Sequence, residues 1–366
     1  MLETTWFVLW GLLWAVYFVL DGFDFGMGTL LPFLAKNDEE KRIIYNAAGP
    51  YWDGNEVWLI TAGGATFAAF PKAYAVMFSA LYAPLLILLF ALIFRAVSFE
   101  FRNKKDCPQW RKFWDACQFL GNFLPALLLG VAFANLFMGI PIDGNGVYHG
   151  NIIKLLNPYG LAGGIFFVLI FCMHGALWLA LKSEGDIHER AVGAAQVVWP
   201  LVLAVALLFL ALTAFYTNLY ANYAEHPTLL IFPILAVASL LTVRVMIWAD
   251  NLLGAWFFSA LFIITVTFFG VLGMYPGIII SSIDPAYSVT VFNGASSQLT
   301  LKIMLGVTLC CIPVVIAYQA WVYYTFAHKE LRLVAFHASI AAVVDHRTVE
   351  REEPRNSPTV IVRPYT

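Results

Sequence analysis

The chain has 366 residues, of which 61% are hydrophobic and only 12% charged, with a formal net charge of −2 at pH 7. A soluble globular chain carries about 45–50% apolar and roughly 25% charged residues, so there is too little polar surface here for a water-soluble particle. The charge balance offers nothing to nucleic acid, whereas 12 Trp, 16 Tyr and 31 Phe suit the aromatic belts of a lipid-exposed protein.

Taken in chain order, the first apolar run covers 5–33. Met1-Leu2-Glu3-Thr4-Thr5 before it lacks the basic stretch of a secretory signal, and no small-residue cleavage site follows it. This run therefore reads as a retained transmembrane helix. A helix needs about 20 mainly apolar residues to cross the hydrocarbon core. Eight more segments meet that need, at 51–70, 73–98, 115–140, 158–182, 191–222, 228–249, 252–280 and 302–328. The pattern predicts an all-α, polytopic membrane protein with nine transmembrane helices. The turn between the second and third rests on Phe70-Pro71-Lys72, since proline lacks a backbone donor and disfavours helix just before itself.

Basic residues fix the expected orientation. One side holds Lys36, Lys41, Arg42, Arg95, Arg102, Lys104, Lys105, Arg111, Lys112, Lys182, Arg190, Arg244 and six more near the C-terminus, against Lys72, Lys154 and Lys302 on the other. Eighteen against three places the N-terminus outside and the C-terminus in the cytoplasm. The outer connections 141–157 and 281–298 are polar and too small to be domains. Residues 1–330 are thus expected to form one transmembrane domain. Residues 331–366, with Asp345-His346-Arg347 and Glu350-Arg351-Glu352-Glu353, read as a polar, mobile cytoplasmic tail.

The residues with chemistry lie early. Asp21 and Asp24 stand i, i+3 inside the first span, so they share a helical face. At about 1.5 Å per residue, Asp24 lies roughly 15 Å from a helix end near residue 34. An unpaired carboxylate there is costly, so it pairs, takes a proton or faces a wet cavity. Asp53 and Glu56 repeat the spacing at the start of the second span, just after Pro50. Two readings stay open: capping and helix–helix glue, or a graded series of carboxylates that passes protons inward. Arg95 is a candidate counter-ion, or a side chain snorkelling to the interface.

His174 is the one histidine clearly inside a span, and a bridge to a neighbouring helix is the expected role. No second His or Met is placed to make a bis-ligated haem with it. Cys107, Cys117, Cys172, Cys310 and Cys311 form no CxxC pair and read as small, buried apolar residues. No metal site is expected in this chain.

Five stretches resemble subunit II of the cytochrome bd-type quinol oxidases: Asp21–Gly28 (DGFDFGMG), Pro50–Phe67 (PYWDGNEVWLITAGGATF), Gly130–Pro141 (GVAFANLFMGIP), Leu156–Gly164 (LNPYGLAGG) and Ser296–Leu301 (SSQLTL). They run in family order, and the WDGNEVWLITAGGA block is long and unusual. The resemblance implies a nine-helix subunit without haem, paired with a related subunit I that carries haem b and haem d and oxidises quinol. Such a complex, in the prokaryotic inner membrane, reduces oxygen to water with protons drawn from the cytoplasm. By the same resemblance Asp53 matches the acid at the proton entrance, and Asp21 and Asp24 the acidic motif of the first helix. Trp52 matches a position that contacts a bound quinone in some members. The resemblance leaves open a small accessory subunit. The competing class is a proton-coupled secondary transporter, but its paired repeats should place matching acids in both halves, and here they cluster in the first sixth of the chain.

Overall fold

Proline sets several of the breaks in the chain, and small residues set where its helices touch. The computed structural model describes residues 1–327; the expected tail lies outside the described residues. Thirteen α-helices follow in order among them: α1 Leu2–Leu34, α2 Asp38–Ala48, α3 Trp52–Ala69, α4 Pro71–Ala80, α5 Tyr82–Phe101, α6 Pro108–Met138, α7 Ile152–Leu155, α8 Pro158–Lys182, α9 Gly185–Tyr216, α10 Leu219–Glu225, α11 Ile231–Trp248, α12 Leu252–Met274 and α13 Gln298–Thr325. Strands β1 Gly277–Ile279 and β2 Val289–Thr290 make one short antiparallel ribbon.

Eight helical stretches are long and apolar enough to cross a membrane among the described residues: α1, α5, α6, α8, α9, Pro227–Trp248, α12 and α13. Helix α3 forms over the second expected segment, but Asp53, Asn55 and Glu56 dilute its apolar character. The third expected segment is broken at Leu81 into α4 and α5. Pro84 explains the break. It has no N–H for the Ala80 carbonyl four residues back, and its ring crowds that carbonyl.

Helices α1 and α8 form the centre, packed on each other and on α6 and α12. Lipid gives no hydrophobic drive between helices, so close van der Waals approach must hold them. At Gly26 a Cβ would sit 1.8 Å from the Phe171 carbonyl oxygen, and at Gly175 it would sit 2.5 Å from the Met27 nitrogen. Only glycine fits this crossing. By contrast α13 lies on the outside, and Leu301 is its one buried residue.

The ends of the bundle differ. At the end without the basic bias, Ile140 N–H donates to Ile280 O at 2.9 Å and the Ser281 hydroxyl to Ile142 O at 2.6 Å, which knits the two longer loops together. The basic end carries α2, a helix that the sequence reading did not assign. Asn37 caps it by accepting from Glu40 N–H, and Asp38, Glu39 and Glu40 fill its first turn. Its apolar face buries Ile43, Ile44, Tyr45, Ala47 and Ala48. Ion pairs pin its polar face: Asp38 to Arg102 at 2.5 Å, Glu40 to Arg190 at 2.6 Å and Lys41 to Asp115 at 2.8 Å.

Asp38 and Glu40 are both held below the usual carboxylate range. Burial opposes this at each, but the Arg102 bond and charge outweigh it at Asp38, and the Lys36 amide and Arg190 outweigh it at Glu40. The stability they add is present above the ordinary carboxylate pKa and is lost as pH falls through the lowered values. Limited proteolysis within 36–48 should therefore accelerate as pH is lowered below about 4, and Asp38→Asn should already be cleaved faster at neutral pH. Gly26→Val should cost about 1–3 kcal/mol or more by overpacking the α1–α8 crossing, read as loss of folded protein in detergent.

Candidate functional site: a buried carboxylate cluster

Asp21, Asp24 and Phe25 project from neighbouring faces of α1 toward α3, α5 and α13. Asp21 and Arg95 are both fully buried, and the Arg95 guanidinium grips both Asp21 oxygens, with Nη1 to Oδ1 at 2.8 Å and Nη2 to Oδ2 at 3.1 Å. The same Nη2 donates to Glu56 Oε2 at 2.9 Å, so one cation joins α1, α3 and α5. Its carbon lies 4.7 Å from the centre of the Phe25 ring. The planar fork matches a carboxylate in a way a lysine could not. Arg95 is thus an interior ion-pair partner and not a snorkelling side chain.

Asp24 is held differently. Its Oδ2 accepts from Asn55 Nδ2 at 2.8 Å, while its Oδ1 is buried and meets no donor among the described residues. Asn55 in turn accepts from Gln319 Nε2 and Tyr323 O–H of α13, each at 3.1 Å. One amide therefore links Asp24 to the last helix. Glu56 keeps 22% of its side chain exposed, and Asp53, one turn nearer the helix start, is exposed. The structure brings Asp21, Glu56 and Arg95 into contact, sets Asp24 beside them through Asn55, and leaves Asp53 at the rim.

Trp52 stacks flat on Phe99, with centroids 5.0 Å apart and planes 4° from parallel, and is half-buried. Near it, Lys182 Nζ donates to the Tyr51 hydroxyl at 2.7 Å and to the Phe326 carbonyl. His174 bridges helices. Its Nε2 faces Val19 O at 3.1 Å, which requires a proton there and leaves Nδ1 to accept from the Ser259 hydroxyl at 2.6 Å. Its ring also stacks on Trp256 at 5.2 Å.

Sequence reasoning did not single out Asn55, Gln319 or Tyr323. Gln319 had a usable signal, because a lone amide within an apolar helix needs a partner. Asn55 lies between Asp53 and Glu56, whose charge masks its polarity in the sequence.

Known proteins resemble this chain closely. The model of the family described as cytochrome bd terminal oxidase subunit II matches residues 2–326. The chain is 38% identical over 339 residues to the cytochrome bd ubiquinol oxidase subunit 2 of Bacillus subtilis (strain 168), covering 90% of this chain and 98% of that one. It is 36% identical over 359 residues to the cytochrome bd-I ubiquinol oxidase subunit 2 of Escherichia coli (strain K12), covering 88% and 93%. The fold is similar to a chain in the structure of bd oxidase from Geobacillus thermodenitrificans, with a TM-score of 0.74 at 16% identity over 89% of this chain and 98% of that one. With motifs, helices and relatives in agreement, the chain belongs to the cytochrome bd terminal oxidase subunit II family.

Proposed function

We propose that this subunit takes protons from the cytoplasm at its basic end and stores them in the acidic cluster on their way to oxygen reduction in subunit I. The chain is a subunit of an oxygen-reducing quinol oxidase and a multi-pass protein of the bacterial inner membrane. The proposal extends to nine spans, with α3 as the second and α4–α5 together as the third, an outer N-terminus and a cytoplasmic C-terminus. Subunit I carries haem b and haem d, and quinol and oxygen react there. The flat Trp52–Phe99 pair is the surface a quinone ring would contact in this chain. The exposed apolar sides of α9, α11 and α13 face lipid, subunit I and a small accessory subunit.

One observation carries the proton reading: the cluster has more acid than base. Asp21, Glu56 and Asp24 share one guanidinium, and Arg95 contacts only the first two. Charge left in a low-dielectric interior without a counter-ion is expensive, and taking up a proton removes the cost. Asp24, with an oxygen free of protein donors, is where that proton is held. Asp53 collects it at the surface, and Glu56, still partly exposed, passes it inward. Arg95 stays charged throughout and fixes the geometry. A secondary transporter is not favoured, since the buried acids among the described residues lie in α1 and near the start of α6, with none in the second half.

Asp24→Asn and Asp53→Asn should each slow oxygen consumption by about a hundredfold, the lower end of what a lost proton-transfer group costs, while leaving haem content intact. Full turnover in both variants across pH would refute the path. Arg95→Leu should behave otherwise. It strands a buried carboxylate, which costs about 3–5 kcal/mol, so the yield of assembled oxidase should fall, and Asp21→Asn in the same chain should restore part of it.

A further inference from the structure

The basic end holds more cation than its ion pairs use. Arg102, Arg111, Lys41 and Arg190 are each held by carboxylates of α2, α6 or the turn between α5 and α6. Lys104, Lys105 and Lys112 are exposed and meet no carboxylate among the described residues. All three lie on one short segment, the turn that joins α5 to α6 and the first residues of α6. Asp106, the acid of that turn, is taken by Arg111 at 2.7 Å. Glu100, in the last turn of α5, is exposed. Residues 100–115 carry five basic and three acidic side chains, so the segment keeps a positive excess.

The same segment suits the membrane surface. Phe101 and Phe113 are 46% and 54% exposed, and both pack on the buried Trp114, with ring centroids 5.6 and 5.1 Å away. Trp110 stands edge-on to that ring at 5.6 Å and donates its Nε1–H to Phe101 O at 2.7 Å. Lys105 Nζ lies 4.7 Å from the centre of the Trp110 ring. Such rings gather where hydrocarbon meets headgroups. Depth agrees. Helix α6 has no charged residue from 116 to its end at Met138, and about 23 residues at 1.5 Å each span the roughly 30 Å core. Lys112 therefore stands about 6 Å outside that core, at headgroup level. Phe113, Ala116 and Leu120 are exposed below it, an apolar strip along which an acyl chain can lie. The first turn of α6 has no side-chain cap, so the positive end of its dipole meets the same layer.

We propose that the turn 101–113 is a seat for an anionic phospholipid of the leaflet that meets the basic end. Lys104, Lys105 and Lys112 hold the phosphate and its charged headgroup, and the exposed rings of Phe101 and Phe113 lie against the glycerol and the upper acyl chains. Charge selects the class of lipid. A zwitterionic head carries its own cation and gains little from three unpaired lysines, whereas each lysine near the surface strengthens binding of an anionic one about fivefold. Arg102, buried at the root of this turn, ties α2 to α6, so a headgroup that holds the turn also holds that joint. The seat is independent of the proton path.

The test is lipid retention by the assembled oxidase in detergent, counted by native mass spectrometry after equal exposure to phosphatidylglycerol and phosphatidylcholine. The unmodified complex should keep phosphatidylglycerol in preference. Lys104→Gln, Lys105→Gln and Lys112→Gln together should weaken that binding about tenfold or more. Lys36→Gln with Arg42→Gln removes two other exposed cations from the same end and should leave retention unchanged. An equal loss in that control would mean diffuse attraction and overturn the seat, as would a triple variant that keeps the lipid like the unmodified complex. Inorganic phosphate should compete poorly; full displacement by it would mark a free-anion site and overturn the lipid assignment. Should the triple variant fail to assemble, salt decides on the unmodified complex. Retention should fall as salt rises, and salt-insensitive retention would show that hydrocarbon contact alone holds the lipid.

Discussion

The Arg95 guanidinium, forked onto Asp21 and extended to Glu56, is the interaction on which the interior of this subunit depends. Each charge is prohibitive by itself in a low-dielectric core, and together they are tolerable only in good geometry. That requirement aligns three helices at once. It sets the depth of α5 against α1 and turns the Glu56 face of α3 inward. Packing cannot do this by itself, because lipid tails compete equally well for apolar side chains. Polar contacts select the arrangement, and glycine crossings such as Gly26 with Gly175 then let the backbones close on it.

The same economy explains the contrast between inner and outer helices. Helices α1, α6, α8 and α12 hold the buried aromatic and small residues, while α9, α11 and α13 present apolar side chains outward. Outer helices in such a setting are placed by a few directional bonds. For α11 one of these is Trp199 Nε1 to Leu240 O at 2.7 Å, and for α13 they are Trp6 Nε1 to Leu301 O at 3.0 Å and the amide and hydroxyl that meet Asn55.

Much of this was legible in the sequence because charge inside an apolar run is conspicuous. Asp21, Asp24, Glu56 and Arg95 announced themselves by their cost, and helix covers most of the described residues of each expected apolar stretch, eight helical stretches among them being long and apolar enough to cross a membrane. Their pairing was not legible. Arg95 and Asp21 stand 74 positions apart, and nothing local tells whether an arginine near a helix end points inward or toward water. Helix α2 was missed because its charged face dominates a short segment, although Asn37 followed by three acids is a capping signal. The break at Leu81 does not show in the apolar pattern, because Pro84 lies within an apolar run and its effect falls four residues back. Asp53 and Glu56 looked like equals by spacing, yet only Glu56 reaches Arg95.

The amide of Asn55 has two duties. With its nitrogen it steadies the Asp24 carboxylate, and with its oxygen it receives Gln319 and Tyr323 from α13. A bond to a charged carboxylate is stronger than one to a neutral acid, and polarisation carries part of that difference along a hydrogen-bonded chain. Occupancy of Asp24 by a proton and the grip on the last helix are therefore thermodynamically linked, and such linkage is reciprocal. Under the proposed proton path, whatever presses on the outer face of α13 alters how readily Asp24 gives up its proton, and each proton that arrives there loosens or tightens the seat of that helix.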